Sequence, residues 1–406
     1  MDFVVRAIDE AEHSAFAWTD TAGFGEDAAE FEANQGAWSA EELERTRAAF
    51  EGDIIVGTSR NYSFELTLPG GAQIPAAGVS AVAVLPTHTR KGILRSMMAA
   101  LFDDTREHGE AVSMLTASQG GIYQRFGFGV STLGRSIDVD TRAAEFTVPR
   151  PEGRARLVDP DVLRKHAPAV YDALRKEAPG AISRSPAWWA DNQFDRRTKQ
   201  PRFDVLWESV DGTVDGFLTY SITPNWGRDP AHVLMVRDLV GRTDDAVHAL
   251  WRYACEVDLV GTVRDGKTNV DSVLPWLLSS SRAVHTTSVD DYVWTRVLDV
   301  PAALGARTYA TTGHVVLEVH DATYPGDAAD GTFAIEGGPD GASVARTTDA
   351  ADLVCDVSTL SAAWLGGVRW STLATAGLVE ERTSGALATA DAMFASSPLP
   401  FPYTWF

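Results

Sequence analysis

Cysteine is nearly absent: Cys255 and Cys355 are the only two in 406 residues. Each sits in an apolar neighbourhood, so buried free thiols are expected rather than a disulfide framework. No His/Cys cluster accompanies them, and no metal site is expected. No run of eighteen apolar residues occurs, so no transmembrane helix and no membrane partner are expected. The first residues, MDFVVRAIDEAEH, lack the basic-then-apolar pattern of a secretory signal, and a cytoplasmic protein is the expectation. Basic residues are scarce beside acidic ones: 35 Lys and Arg against 56 Asp and Glu give a formal net charge of −21. Nucleic acid is thereby excluded as a partner, because its phosphates demand a basic face. An acidic surface suits a cationic substrate, which it concentrates around clefts, and it equally serves solubility alone.

What is present is chain and apolar content enough for two or three domains, with 45% of residues apolar. One stretch organises it, residues 79–109, VSAVAVLPTHTRKGILRSMMAALFDDTREHG. Small and β-branched residues from Val79 to Leu85 predict a short strand, and Pro86 stops it. A polar turn carrying Arg90 and Lys91 follows, and Gly92 opens a helix. Ile93, Leu94, Met97, Met98, Leu101 and Phe102 recur on one face of that helix. Gly109 sits where a left-handed residue would end it. Unpaired amides at the helix start, the helix dipole and two cations attract an anion, and a pyrophosphate is the natural guest. Many strand–turn–helix units of this kind bind nothing. The next element, VSMLTAS at 112–118, reads as a second strand, and GGIYQRFGFG at 120–129 places Tyr123 just beyond Gly120–Gly121.

These residues resemble the GCN5-related N-acetyltransferases (GNATs), whose acyl-CoA pyrophosphate rests in a turn of consensus (Gln/Arg)-x-x-Gly-x-(Gly/Ala). The register falls on Thr89, Arg90, Lys91, Gly92, Ile93 and Leu94, with Thr89 and Leu94 departing from the consensus. The runs AVLPTHTRKGILR, TASQGGIYQRFGFG, LDVPAALGARTY and STLATAGLVEERTSGALATADAMFAS are similar to one subfamily, the enhanced-intracellular-survival (Eis) acetyltransferases of actinobacteria. They are spread over residues 83–396, most of the chain. The resemblance implies acetyl-CoA as co-substrate, a cationic amine acceptor (aminoglycoside, polyamine or lysine) and a homohexamer built from trimers. It also implies that Val82, Ala83, Val84, Thr89, Arg90, Lys91, Gly92, Ile93, Leu94 and Ser118 bind acetyl-CoA.

Taken in order, residues 1–50 read as mostly helical, with acids at Glu26, Asp27, Glu30 and Glu32 and aromatics at Phe24 and Trp38. In the resembled family this region forms one wall of the acceptor pocket, which makes Phe24 and Trp38 substrate-binding candidates. A solvated acidic helix face over core aromatics is the plainer reading. Strands are expected at 53–60 and 62–68, with a Pro-Gly-Gly turn at 69–71. After residue 150 the pattern starts again: a helix from near Asp159 or Asp161, a hairpin turning near Asp211–Gly212, and strand, turn and helix from Val233. An internal duplication follows. Where the first copy has Arg90, Lys91 and Gly92, the second has Asp244 and Asp245, which would repel a pyrophosphate. From about 300 short Ala/Thr/Gly-rich strands and helices suggest a small α+β domain, and the resemblance implies a sterol-carrier-like one. The fold expected is therefore α+β: tandem GNAT-like domains at 1–148 and 149–300, each a mixed β-sheet flanked by helices, then a sterol-carrier-like domain at 301–406.

The tail, SSPLPFPYTWF, carries no side-chain charge after Asp391 and packs Phe401, Tyr403, Trp405 and Phe406 into its last six positions. Aromatics of this density want burial. Either the tail caps a groove on its own domain, or it reaches the catalytic site and delivers its α-carboxylate. In the resembled subfamily the C-terminal carboxylate is the general base, which gives Phe406 that role. Acyl transfer from a thioester needs a neutral amine, a polarised carbonyl and a proton for the departing thiolate. A free α-carboxylate titrates near roughly 3.5, and burial between aromatic rings raises it toward a useful range. Tyr123, of ordinary pKa about 10, can protonate a thiolate of about 8.5. Backbone amides at the end of the Val82–Val84 strand would polarise the carbonyl. Two other classes remain open: a non-catalytic acyl-CoA or lipid carrier using the C-terminal domain, and a scaffold built on a degenerate acetyltransferase fold.

Overall fold

A single fourteen-residue strand spans Ile54–Thr67, where the sequence pattern suggested two strands parted near Asn61. Asparagine is turn-prone, but the Asn61 amide donates to the Leu101 carbonyl (3.1 Å) and to Asp104 Oδ2 (2.7 Å). Those bonds hold it in the ladder opposite Val79. The computed structural model describes residues 3–26, 38–194, 200–229 and 231–406. Of the four acids noted near the N-terminus, Glu26 is among these, and Asp27, Glu30 and Glu32 lie outside the described residues.

The chain divides into two contact-dense units. The first comprises Met1–Thr132, Ala178–Ser183 and Asp291–Phe406, and the second Leu133–Glu177 and Arg184–Asp290. In the first unit lie β1 (Val4–Arg6), β2 (Ala48–Glu51), β3 (Ile54–Thr67), β4 (Gln73–Val84), β5 (Val112–Leu115) and β6 (Gly129–Val130). The second is built on β7 (Leu133–Asp140), β8 (Gly153–Val158), β9 (Arg202–Ser209), β10 (Val214–Thr223), β11 (His232–Gly241), β12 (Val260–Asn269) and β13 (Val284–Asp291). β14 (Trp294–Val297) then returns to the first sheet, whose order is β1-β2-β3-β4-β5-β14-β6. The second sheet is ordered β13-β7-β12-β11-β10-β9-β8. The two repeat one pairing pattern. Antiparallel strands lead to a parallel pair, β4 with β5 or β11 with β12, and an antiparallel strand follows, β14 or β7. The duplication read from the sequence is thus a duplication of sheets. β4 runs longer than expected, beginning at Gln73 and passing through Pro75, and β5 stops short at Leu115.

Among the described residues the α-helices of five residues or more are α1 (His13–Phe24), α2 (Ala40–Glu44) and α3 (Ile93–Glu107) in the first half of the chain. α4 (Pro160–Arg175) and α5 (Asp244–Cys255) belong to the second unit. Four more, α6 (Val300–Gly305), α7 (Val357–Ala363), α8 (Trp370–Thr375) and α9 (Ala386–Phe394), accompany the third sheet. That sheet contains β15 (Gly313–His320), β16 (Gly331–Gly338), β17 (Gly341–Arg346), β18 (Leu353–Asp356) and β19 (Val379–Glu381), in the order β17-β16-β15-β18-β19. One apolar cluster joins it to the first sheet: Phe64, Leu66 and Met114 pack with Leu317, Phe333 and Trp364. Cys255 and Cys355 are both free and buried. No helix among the described residues is long and apolar enough to cross a membrane.

β3 is two-sided, and its two sides do different work. Gly57, Asn61 and Ser63 face α3 and its supports. A Cβ at Gly57 would meet Ile93 and Met97, and Ser63 accepts from Arg45, whose guanidinium also donates to Asp104 (2.9 Å) and Glu110 (2.6 Å). Thr58, Arg60, Tyr62 and Phe64 point the other way, and along that face lies the candidate site.

Candidate active site

The site begins with a fork. β4 and β5 pair in parallel only at Ala77 with Ser113 and Gly78 with Met114. Beyond Gly78 β4 runs on to Val84, while β5 ends at Leu115. β4 also carries a bulge. Thr58 pairs with Ala83 and Arg60 with Ser80, so Ala81 and Val82 together oppose Ser59, and Ala81 sits at φ +52°. A bulge of this kind leaves a backbone amide outside the ladder and re-aims it. The stretch Val82–Val84 therefore runs along an open strand edge at the fork, where an amide turned away from β3 can donate to an oxygen placed there.

Past β4, Thr89, Arg90, Lys91 and Gly92 are all exposed. Arg90 (φ +64°) and Gly92 (φ +85°) are left-handed, a conformation that costs a non-glycine residue and curls the chain into a concave turn. Gly92 is the N-cap of α3, and no side chain caps that end. The first helical bond runs from the Ser96 amide to the Gly92 carbonyl (3.1 Å), so Ile93, Leu94 and Arg95 present the orphan amides of a helix start. Ile93 is buried and Leu94 half-buried, which roots the turn in the core. Gly109 is left-handed just past the helix end, as its position in the sequence suggested. Ser118 is exposed, three residues beyond β5.

The chain's last residue lies at the fork. Thr116, the first residue after β5, donates through Oγ1 to the main-chain oxygen of Phe406 at 3.2 Å. The Phe406 ring packs on Phe64, with centroids 4.9 Å apart. Gly78 leaves room for both rings: a Cβ there would come within 2.3 Å of Phe64 and 2.9 Å of Phe406. Tyr123 lies in a different apolar cluster, with Met98, Phe102, Leu115 and Trp294. Its phenol is pushed up to about 12, with burial as the only cause, so it holds its proton at every physiological pH.

The rest of the Thr58–Phe64 face is polar. Arg60 is stacked between Trp38 (4.0 Å) and Tyr62 (4.1 Å) and ion-paired to Glu42 at 3.3 Å. Thr58 donates to Asp20 Oδ1 at 3.4 Å. Of the two aromatics expected here, Trp38 is engaged with Arg60, His13 and Phe16, and Phe24 is exposed at the end of α1.

Comparison with known proteins accords with this geometry. Two acetyltransferase (GNAT) domain models match residues 4–131 and 180–297, and a sterol carrier protein domain model matches 300–402. The chain is 36% identical over 417 residues to an uncharacterized N-acetyltransferase of Streptomyces griseus, covering 99% of each. It is 35% identical to the N-acetyltransferase Eis of Mycobacterium tuberculosis, covering 85% of this chain and 84% of that one. The crystal structure of Eis1 from Mycobacterium abscessus superimposes along the whole of both chains with a TM-score of 0.86 at 32% identity. The chain belongs to the Eis family of N-acetyltransferases. The architecture expected from the sequence, two GNAT domains and a sterol carrier domain, is the one observed.

Within this Eis-family chain the two GNAT domains offer unlike helix starts. Asp244 and Asp245, read from the sequence as turn residues, are helical: they open α5 behind the N-cap Thr243, whose Oγ1 accepts from the Ala246 amide (3.2 Å). That N-terminus is already capped and carries two acids, the reverse of α3. Sequence reading did not single out Asp20, Arg60, Tyr62, Phe64 or Thr116. For Asp20 a signal existed, since it stands four residues after Phe16 and so on the buried stripe of α1.

Proposed function

We propose that this Eis-family enzyme transfers the acetyl group of acetyl-CoA directly to an amine of an aminoglycoside or a related cationic acceptor such as a polyamine or lysine. The observation that carries this reading is the Phe406 carboxylate, held by Thr116 where β4 and β5 part. The turn at Thr89–Gly92 and the amides of Ile93 and Leu94 receive the pyrophosphate, with the charges of Arg90 and Lys91 behind them. The bulged amides near Val82–Val84 take the thioester oxygen as charge develops on it. Ser118 flanks the bound co-substrate. Phe24 and Trp38 form the acceptor wall.

The Phe406 carboxylate accepts a proton from the attacking nitrogen, and the protonated Tyr123 phenol supplies one to the departing thiolate. No covalent enzyme intermediate is used. Among the described residues no group of His, Cys, Asp and Glu is arranged to hold a metal. With this reading come the homohexamer that the family resemblance implies and the cytoplasmic location expected from the sequence.

Acetyl-CoA consumption with kanamycin tests it, comparing the native chain with one extended by two glycines after Phe406. The extended chain should bind acetyl-CoA and fail to turn over. Equal activity in both would remove the carboxylate from the mechanism. Binding of acyl-CoA with no turnover by the native chain, on any amine, would favour the carrier.

A further inference from the structure

Acylating an ammonium group removes two protons from one nitrogen: one before attack, to free the lone pair, and one as the amide forms. The proposed mechanism names a single proton-accepting carboxylate, that of Phe406, and the second carboxyl on the same face of β3 has no assigned task.

That carboxyl is Asp20. It is 5% exposed and lies on α1 where this helix crosses the bulge. Three residues along the helix, a Cβ at Gly23 would come within 2.6 Å of the Ala83 Cβ, and Ala83 is the ladder partner of Thr58. Thr58 is the donor to Asp20, at a long 3.4 Å. Asp20 forms no ion pair among the described residues. The charges that reach it are Arg60 from β3 and Glu26 just beyond α1. β4 carries no titratable side chain between Gln73 and Val84. Arg60 is committed to Glu42, Trp38 and Tyr62. A carboxyl so deeply set, with one weak donor and no cation of its own among the described residues, is an expensive arrangement for structure alone.

We propose that Asp20 is a second proton-accepting carboxylate of the acceptor site, receiving the incoming ammonium group and taking its first proton. The inference rests on the acetyl-transfer reading above. R–NH3+ and the Asp20 carboxylate become R–NH2 and the carboxylic acid, and the neutral amine attacks the thioester carbon. As the C–S bond breaks, Tyr123 gives its proton to the thiolate and the Phe406 carboxylate takes the second proton from nitrogen. The Phe406 acid restores the Tyr123 phenol, and Asp20 releases its proton to solvent. One proton is released per turnover, as the overall reaction requires. Burial holds the Asp20 carboxyl at about 7, closer to an aliphatic ammonium than an ordinary carboxylate is, so the transfer is less uphill.

The test is the pH dependence of kcat/KM for kanamycin between about pH 5.5 and 9 in the native enzyme, Asp20→Asn and Thr58→Val. Asp20→Asn should lower kcat/KM by about 100-fold or more and lose the limb near neutrality, with acetyl-CoA affinity unchanged. Thr58→Val keeps the carboxyl and removes its donor, so the limb should move to higher pH with the plateau rate preserved. An unchanged rate and profile in Asp20→Asn would overturn the assignment, as would an unmoved limb in Thr58→Val. Kanamycin binding to the CoA complex, followed calorimetrically in two buffers of different ionisation enthalpy, reads the same proton without turnover. Asp20→Asn should lose about one proton of linkage, and equal linkage overturns the assignment. A native enzyme that binds kanamycin with Asp20-dependent linkage yet never acetylates an amine sinks the acetyl-transfer reading instead.

Discussion

Thr116 Oγ1 donates to the main-chain oxygen of Phe406, the proposed base, across 290 positions of sequence, at 3.2 Å. Because Thr116 follows β5 directly, this bond ties the chain end to the place where the central strands separate. A hydrogen bond to a charged group contributes roughly 1.5–3 kcal/mol. Thr116→Val keeps the shape and deletes the donor. It should reduce kcat by about tenfold or more and leave acetyl-CoA affinity within twofold. Steady-state kinetics beside calorimetric binding decide it; undiminished turnover would mean that the tail's packing alone positions the carboxylate.

Gly78 tests that packing. It is the last β4 residue paired to β5, and a Cβ on it would lie 2.3 Å from the Phe64 ring and 2.9 Å from that of Phe406. Neither distance is tolerable, and Phe64 is fixed in the core, so the terminal ring gives way. Gly78→Ala should therefore cost turnover more than it costs melting temperature. Proteolysis of the last residues should accelerate in the same variant. A variant with native kinetics would show that the ring position is not required.

Tyr123 differs from an ordinary surface tyrosine in staying protonated: burial carries its phenol to about 12. No loss of activity at high pH should arise from it below about pH 11. Tyr123→Phe preserves the ring contact with Phe128 and removes the proton. A fall in kcat of about 100-fold with unchanged acetyl-CoA binding is expected for a general acid. Native kcat in Tyr123→Phe would leave thiolate protonation to solvent.

What was legible in the sequence was what is local. The strand, basic turn and helix over 79–109 could be read because Pro86, Gly92 and Gly109 act on their own neighbours. The single strand at Ile54–Thr67 was read as two because Asn61 gives a turn signal locally and is overruled by Asp104, 43 positions away. The positions of β7 and β14 were equally hidden. Each adjoins one sheet in sequence and pairs in the other, and nothing in a strand's own residues states its sheet. Family resemblance supplied the role of Phe406, and the chemistry of a departing thiolate that of Tyr123. Neither gave one to Asp20 or Thr116, whose meaning comes from partners on other elements.

Arg45 supports the site from behind β3. It is 1% exposed and donates to Asp104, Glu110 and Ser63, joining β3 to the last turn of α3 and to the segment just beyond it. Removing one partner of such a group leaves two buried carboxylates short of their cation. Arg45→Ala should cost roughly 3–5 kcal/mol, read as a lowered denaturant midpoint. Arg47, which also reaches Asp104 at 2.7 Å, offsets part of this, and a double variant should exceed either single one. A cost under about 1 kcal/mol would mean the network is dispensable.

Asp20 should also leave a mark on stability. In the folded chain its carboxyl is raised from an ordinary 3.8 to about 7, by burial first and Glu26 in the same sense, against Thr58 and Arg60. The folded state therefore binds a proton that the unfolded chain has already lost between about pH 4 and 7. The sign follows: the contribution is fully present below about pH 4 and disappears as pH rises through 7. Its size is roughly 4 kcal/mol at most. Paired carboxylates such as Asp138, held below its ordinary range by Arg264, act in the opposite sense and weaken the fold as pH falls. Asp20→Asn removes only the first effect. Melting temperatures of native and variant should thus diverge from pH 5 to about pH 7, with the variant gaining on the native protein, and keep a constant difference above that. Parallel curves across that window would mean that the carboxyl is solvated in the folded chain and titrates as it does unfolded.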